Sequence, residues 1–269
     1  MFEQYRIQPG SAFKISDIDP DDLDGWKGKK EKATERLEEL RTELADLQEV
    51  LYAEHKHKVL IVLQAMDTGG KDGTIRAVFE GVNPQGIQVA NFKVPTPIEA
   101  DHDYLWREHT KTPGKGEMVI FNRSQYEEVL VVRVHGWASM AQTKLRYKQI
   151  CDFERMLVEE GTIILKFFLH ISKDEQRQRL LERIDTPSKQ WKFNSGDLKE
   201  RALWDDYMAA YEDAIRETST VQAPWYVVPA NRNWYRNMIV ATVIVETLRG
   251  LKMSFPAPEE DVAAYRSQL

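Results

Sequence analysis

The chain reads as an α/β protein: a five-stranded, mostly parallel sheet with helices on both faces. Three observations predict it. Five short apolar runs, at residues 59–63, 87–92, 118–121, 162–169 and 225–228, alternate with stretches of helical pattern, and strands buried on both faces read as continuous apolar runs. The first run empties into a small-residue loop, Gly69-Gly70-Lys71, and then into a helical stretch, which is the strand–loop–helix layout of a phosphate cradle. No internal repeat and no long linker interrupts the 269 residues, so one core with appendages is the economical organisation.

Residues 1–28 read as an irregular arm, with a turn or helix start at Asp19-Pro20-Asp21-Asp22 and loosening glycines at 25 and 28. From 29 to 54 the pattern is helical: Leu37, Leu40, Leu44, Leu47 and Leu51 follow 3-4-3-4 spacing with charges between them. That stripe can pack on the core or serve self-association, and two heptads are too short to specify a free coiled coil. The chain thus divides into an arm and amphipathic helix at 1–54, a core at 55–252 and a Pro-rich tail at 253–269.

Within the core, the strand at 59–63 leads to a helix over 73–82 that stops at Asn83-Pro84. The strand at 87–92 follows, Pro95 and Pro97 break the chain, and 99–109 reads as a helix. A lysine-rich Pro/Gly turn at 111–116 precedes the strand at 118–121, and 126–134 reads as helical despite its valines. A long amphipathic helix at 144–160 ends at Gly161, before the strand at 162–169. Ser172 with Glu175 three positions on is a capping-box signature for a helix to about 183. A breaker-rich, basic and aromatic loop at 185–196, a helix at 197–217, the strand at 225–228 and a helix at 234–251 complete the core.

Composition bounds the function. Hydrophobic content of 42% with 30% charged residues describes a globular chain, and no apolar run approaches the roughly 20 residues of a membrane helix. The N-terminus lacks a basic region followed by an apolar core, so no secretory signal is expected. One cysteine, Cys151, excludes an internal disulfide and suits a reducing cytoplasm. Net charge is −6, which argues against a nucleic-acid partner held by bulk charge but leaves room for a local basic channel. The histidines have no metal-ligand spacing, and neither a G-x-S-x-G elbow nor H-E-x-x-H occurs.

Ligands of an open parallel sheet bind at the carboxyl ends of its strands. After the first strand come Asp67, Lys71, Asp72 and Thr74; after the third, Asn122, Arg123 and Glu127; after the fourth, His170 and Lys173; after the fifth, Asn231 and Arg232. The strict P-loop pattern is G-x-x-x-x-G-K-[ST]. Here its first position is Ala65 and the residue after the lysine is Asp72, so the match is partial, and Gly69, Gly70, Lys71, Asp72, Gly73 and Thr74 are the expected phosphate contacts. Asp67 lies in the middle of the loop. A carboxylate there repels phosphate unless a metal ion sits between them or unless it handles a proton.

Phosphoryl transfer asks for positioning, cations on the equatorial oxygens, and magnesium. Lys71 and Arg123 supply fixed cations, while Asp67 and Glu127 can hold magnesium. Asn122 stands where many nucleotide enzymes place the Walker B aspartate, and Glu127 can supply the missing charge; alternatively, Asn122-Arg123-Ser124 is only a helix start. A second basic cluster, Arg177, Arg179, Arg183, Lys189 and Lys192 with Trp191 and Phe193 interleaved, suits a lid that closes over phosphates. A third, Arg133, His135, Lys144, Arg146, Tyr147 and Lys148, is either a solvated helix face or part of a groove for a long polyanion.

Four stretches, LQAMDTGGKDGT, KGEMVIFNRSQYEEVLVVRVHG, LKFFLHISKDEQRQRLLERIDTPSKQWKF and APWYVVPANRNWYRN, resemble the second polyphosphate kinase family, in the family's order and over about residues 5–251. The resemblance implies a three-layer, thymidylate-kinase-like P-loop fold with a helical lid at about 183–198; Arg183, Lys189 and Lys192, with Arg179 just before that range, are the expected lid residues. It implies magnesium-dependent (or manganese-dependent) phosphoryl transfer between inorganic polyphosphate and a nucleotide, AMP, ADP or ATP and in some members GMP or GDP. Asp67 matches the family's P-loop aspartate, Lys71 its phosphate-binding lysine and Arg123 the arginine of its second motif. Asn122 departs from the aspartate of many members; with Glu127, FNRSQYE is similar to the class III subgroup, which accepts nucleoside mono- and diphosphates. Gly69 to Thr74, Arg133 and Lys144 are the expected phosphate-binding set, and Asp67 with Glu127 the metal set. A cytoplasmic homo-oligomer, dimer or tetramer, is expected, without nucleic acid or membrane. Two rivals remain: an ATP-dependent nucleoside monophosphate kinase of the same fold, and a non-catalytic polyphosphate- or nucleotide-binding module.

Overall fold

The structure is a computed structural model that describes residues 2–268. After the arm, α1 (Lys30–Glu54) leads into β1 (Lys58–Gln64), α2 (Lys71–Val78) and β2 (Ile87–Asn91). Two short helices, α3 (Pro97–Asp101) and α4 (Trp106–His109), precede β3 (Met118–Asn122), a 3-10 turn at Gln125–Val129 and α5 (Val131–Val134). Then come α6 (Met140–Glu159), β4 (Thr162–His170), α7 (Lys173–Asp185), a 3-10 segment at Pro187–Lys192, α8 (Gly196–Ala202), α9 (Trp204–Thr218), β5 (Trp225–Pro229) and α10 (Asn233–Gly250).

The described strands form one five-stranded sheet in the order β2-β3-β1-β4-β5, and every neighbouring pair is parallel. Apolar side chains fill the interior: all of β1 beyond Lys58 is buried, and β4 and β5 are nearly as dry. The chain runs first to one side of β1 and then crosses to the other, so the strand order reverses at β1. A crevice opens at such a switch point, at the carboxyl ends of the strands, and the loop after β1 lies there.

Helices α1 and α2 pack with α10, while α6 packs with β4 and α9. Lys166 and Phe168, two apart on β4 and hence on one face, meet Glu154 of α6 and Tyr211 of α9. Leu37, Leu40, Leu44 and Leu51 are buried and Leu47 half-buried, so the leucine stripe of α1 is spent inside the chain. The N-terminal arm is irregular yet anchored. Phe2, Tyr5, Ile7 and Phe13 are buried, the Ile7 N–H donates to Trp225 O, and the Tyr5 hydroxyl meets Asp22 and Tyr235.

Several expected helices are broken or start elsewhere, for local reasons. The stretch 99–109 splits into α3 and α4 because the Asp103 carboxylate accepts the Leu105 N–H and turns the chain. The stretch 126–134 is a 3-10 turn and one α turn, since Ser124 accepts the Tyr126 N–H and valines crowd a helix. The helix expected at 197–217 breaks at Leu203, and α6 begins at Met140, capped by Ser139. Among the described residues no helix is long and apolar enough to cross a membrane.

Candidate active site

The loop between β1 and α2 is shaped by its backbone. Gly70 takes φ +101°, a region open mainly to glycine, and α2 starts on the next residue. The free N–H groups of that first turn, with the helix dipole, face the carboxyl end of the sheet. Lys71 folds back and donates to Ala65 O at 3.0 Å, and the Thr74 hydroxyl donates to Gly70 O at 3.1 Å. A Cβ on Gly69 would lie 2.4 Å from the Ala65 Cβ, so the loop is closed too tightly for a side chain there.

At the site two non-glycine residues take left-handed backbone: Thr68 at φ 63° and Arg123 at φ 65°. Each costs on the order of 1 kcal/mol and is held by a specific bond. Arg179 donates to Thr68 O at 3.0 Å, and the Arg123 N–H donates to Leu63 O at 3.2 Å. The turn at Arg123 brings its guanidinium to Asp67 Oδ1, 3.0 Å away, and within 3.7 Å of Glu127 Oε2. Two carboxylates thus converge on one cation. Glu127 above all, and then Asp67, hold the Arg123 guanidinium above its ordinary pKa although burial opposes them. Burial and the adjacent Arg123 pull the Lys71 ammonium down, while Asp67, Glu127 and Asp72 pull it back.

Asn122 donates to Asp72 Oδ1 and to Asn91 Oδ1, each at 2.9 Å, so it ties β3 to β2 and to the first turn of α2. Burial raises the Asp72 carboxyl, but the Asn122 bond and the Lys192 and Lys71 charges together hold it below the carboxylate range. Lys192 Nζ lies 3.6 Å from Asp72 Oδ2, which places the segment 187–192 across the loop. Arg183 pairs with Asp197 at 3.0 Å, closing the base of the same segment.

These groups line a cleft of about 1070 Å³. Eight basic side chains and three acidic ones face it, in a chain whose net charge is −6. Asp67, Lys71, Asp72, Asn122, Arg123, Arg179, Arg183, Lys189 and Lys192 all reach the cleft, and Glu127 stands directly behind Arg123. Arg133 and Lys144 do not reach it. Arg133 is spent on Asp213 at 2.7 Å and on the Tyr147 hydroxyl, and Lys144 is exposed on α6. Arg179, expected on the lid, sits on α7 and is bonded beneath the loop to Thr68 O and Ala230 O.

Four contributors escaped the sequence reading. Gln176 donates to Asp67 O at 3.0 Å, Asn91 receives Asn122, Asp197 anchors Arg183, and Arg236 lies behind Gly70. Only Arg236 had a nearby signal, since it falls one helical turn after the strand-end pair Asn231-Arg232.

The rim beside β2 has its own electrostatics. Arg107 donates to Lys93 O at 2.8 Å and lies over the Phe92 ring, while its Nε donates to Glu108. Glu108 is fully buried, and burial pushes its carboxyl up to about 7 against the pull of Arg107. Below the unfolded value both states are protonated and the group contributes nothing. Between that value and about 7 the unfolded chain ionises this acid while the native state keeps it protonated, so stability falls across that window and levels off above it. Glu108→Gln is therefore expected to stabilise the fold by on the order of 2 kcal/mol at pH 8 and by little at pH 5. Urea unfolding at the two pH values checks this, and equal effects at both would contradict it.

The site can also be tested for a divalent cation. Among the described residues no cluster of three or more His, Cys, Asp or Glu side chains occurs, so there is no all-protein cage. Asp67 and Glu127 flanking one cation do fit the habit of magnesium, which takes one or two carboxylates and completes its shell with water and substrate phosphates.

Comparison with known proteins adds the family. A model described as Polyphosphate kinase 2 (PPK2) matches residues 27–256. The chain is 61% identical to the AMP/ADP-polyphosphate phosphotransferase of Meiothermus ruber over 257 residues, 96% of each chain. It is 46% identical to the ADP-polyphosphate phosphotransferase of Rhodopseudomonas palustris over 279 residues, 99% of this chain and 95% of that one. The crystal structure of Polyphosphate Kinase 2 from Arthrobacter aurescens TC1 superposes with a TM-score of 0.96 at 47% identity, covering 99% of this chain and 95% of the other.

Proposed function

Because this chain belongs to the polyphosphate kinase 2 family, we propose that it transfers the terminal phosphoryl group of inorganic polyphosphate to AMP and to ADP. The observation that carries this reading is the cleft. An acidic protein gathers eight basic side chains around a glycine loop and a helix N-terminus, more cation than a mononucleotide needs and suited to a chain of phosphates. The names of the two relatives support the acceptors.

In the proposed reaction a nucleotide phosphate oxygen forms a bond to the terminal phosphorus as the bond to the neighbouring bridging oxygen breaks. The polymer leaves one unit shorter, and the reaction is reversible. Lys71 and the backbone N–H groups of residues 70–73 hold the donor, and Arg123 neutralises charge on the oxygens between donor and acceptor. Magnesium, with manganese as substitute, would be held by Asp67 and Glu127 and would neutralise phosphate charge when bound. Asp67 has little cause to act as a base, because a nucleotide phosphate is already largely deprotonated at neutral pH (pKa about 6). The segment 187–192 carries Lys189 and Lys192 over the loop and would exclude water on closing.

One matrix tests the reading: AMP, ADP, GMP and GDP against polyphosphate and ATP, with and without magnesium. ADP made from AMP and polyphosphate alone is expected. Activity with ATP and AMP but none with polyphosphate would replace the proposal by an ordinary nucleotide kinase, and saturable binding without turnover would reduce it to a binding module.

A further inference from the structure

A buried cation lies beneath the glycine loop, and the reaction proposed above gives it no role. Arg236, on the first turns of α10, is 2% exposed. A Cβ built on Gly70 would fall 2.0 Å from its Nη1 and 3.5 Å from the Arg179 Nη1. Two guanidiniums therefore fill the space that a side chain at position 70 would need, and glycine is demanded there by cations as well as by backbone angle.

Arg236 has no carboxylate partner among the described residues. Its Nε and Nη2 donate to Asn237 Oδ1 at 3.1 and 2.8 Å, and its Nη1 donates to Asn233 Oδ1 at 2.8 Å. These acceptors are neutral amides. Arg179 donates to the same Asn233 oxygen at 3.2 Å, so one uncharged atom is shared by two cations. The acid nearest the pair, Glu175, is spent on Arg179 at 2.7 Å. Burial and the Arg179 charge pull the Arg236 guanidinium down to about 9, which still leaves it charged at neutral pH. A charge buried without a counter-charge is costly, and a protein that keeps one has a use for its field.

We propose that Arg236 is a positioning residue for the phosphate cradle, a fixed buried charge whose counter-charge is the polyanion held on the far side of Gly70. The guanidinium does not touch the polymer. It acts through the loop by locking Gly70 in place, and through space by adding a full charge to the partial charge of the α2 N-terminus. Buried away from solvent, such a charge is little screened by salt. This inference rests on the polyphosphate reading of the site.

The test uses the full chain and three variants: Arg236→Met and Arg236→Gln, which remove the charge at similar volume, and Arg236→Lys, which keeps it. Thermal unfolding is measured with and without sodium polyphosphate, and the KM for polyphosphate, the KM for AMP and kcat are measured beside it. The neutral variants are expected to unfold no earlier than wild type without ligand and to lose most of the polyphosphate-induced stabilisation. Their KM for polyphosphate should rise about tenfold, the order expected for one charge at several ångströms in a partly polarisable interior, with the KM for AMP unchanged and kcat within about threefold. Arg236→Lys should keep at least half of the stabilisation. A purely structural role predicts the opposite pattern, an early-unfolding variant with an intact ligand shift, and would overturn the proposal. Should both neutral variants fail to fold, Arg236→Lys decides: a KM for polyphosphate near wild type upholds the charge, and a tenfold rise removes it. A wild-type chain that polyphosphate does not stabilise would instead sink the functional reading.

Discussion

Asp67→Asn is expected to leave a folded protein whose kcat falls by about two to three orders of magnitude, the range found when one charge-stabilising group is removed from a transition state. The loop does not depend on this carboxylate for its shape. The Gly69 N–H donates to Met66 O, Gln176 holds the Asp67 carbonyl, and Arg179 holds that of Thr68. The carboxylate itself touches Arg123, and asparagine keeps an oxygen where that bond is made. What disappears is the charge. Arg123 is then balanced by Glu127 alone, and a divalent cation would lose one of its two anionic ligands. The magnesium concentration for half-maximal rate should therefore rise together with the fall in kcat, while the unfolding midpoint stays within a few degrees of wild type. Near-normal turnover in a well-folded Asp67→Asn would remove this residue from the mechanism. A fall in kcat with unchanged magnesium dependence would leave it a role towards Arg123 and none towards metal.

The strands and their order of appearance were legible because a parallel sheet buried on both faces writes each strand as an unbroken apolar run; all five runs fall within a residue or two of the observed strands. The carboxyl-end rule then led to Asp67, Lys71, Asp72, Asn122 and Arg123, which are adjacent in the fold for that topological reason. Helix breaks were less legible, since they turn on single side chains such as the Asp103 carboxylate that takes the Leu105 N–H. Basic clusters were the weakest guide. A run of arginines and lysines does not say where its partners lie: Arg133 looks like a phosphate ligand until Asp213, 80 residues later, is seen to claim it. Arg236 was hidden for the same reason. Its significance comes from Gly70, more than 160 positions away, and from the absence of an acid paired with it among the described residues. The partial P-loop match is also clearer in three dimensions. Asp72, where the strict pattern has Ser or Thr, is held by Asn122 and Lys192, so α2 keeps an acid in its first turn as a strut between strands.

Lys166→Met is expected to destabilise the fold by about 3–5 kcal/mol, the usual result of removing one partner of a buried ion pair, and Lys166→Met with Glu154→Leu to recover much of that loss. Lys166 is wholly buried in β4, and Glu154 on α6 is 2% exposed. The ammonium donates to Glu154 Oε2 at 2.6 Å, to Thr218 O at 2.8 Å and to the Tyr126 hydroxyl at 2.9 Å, and lies over the Trp225 ring. Glu154 Oε1 in turn accepts from Tyr126 and Gln125. Methionine leaves Glu154 without its cation, and burial already pushes that carboxyl upward. With its folded pKa raised further, the acid is protonated in the native state at low pH and penalises folding only as pH climbs above its unfolded value. The destabilisation should thus be smaller at pH 5 than at pH 8, a sign that chemical denaturation at both values can check. The pair also reaches the active site, because Gln125 and Tyr126 belong to the 3-10 turn that carries Glu127. Loosening it should lower kcat at temperatures where the variant is still folded, since Glu127 is one of the two acids that aim Arg123. A Lys166→Met protein within about 1 kcal/mol of wild type at pH 8 would mean that water enters the site and solvates Glu154, and the account of a dry, rigid support behind Arg123 would fall.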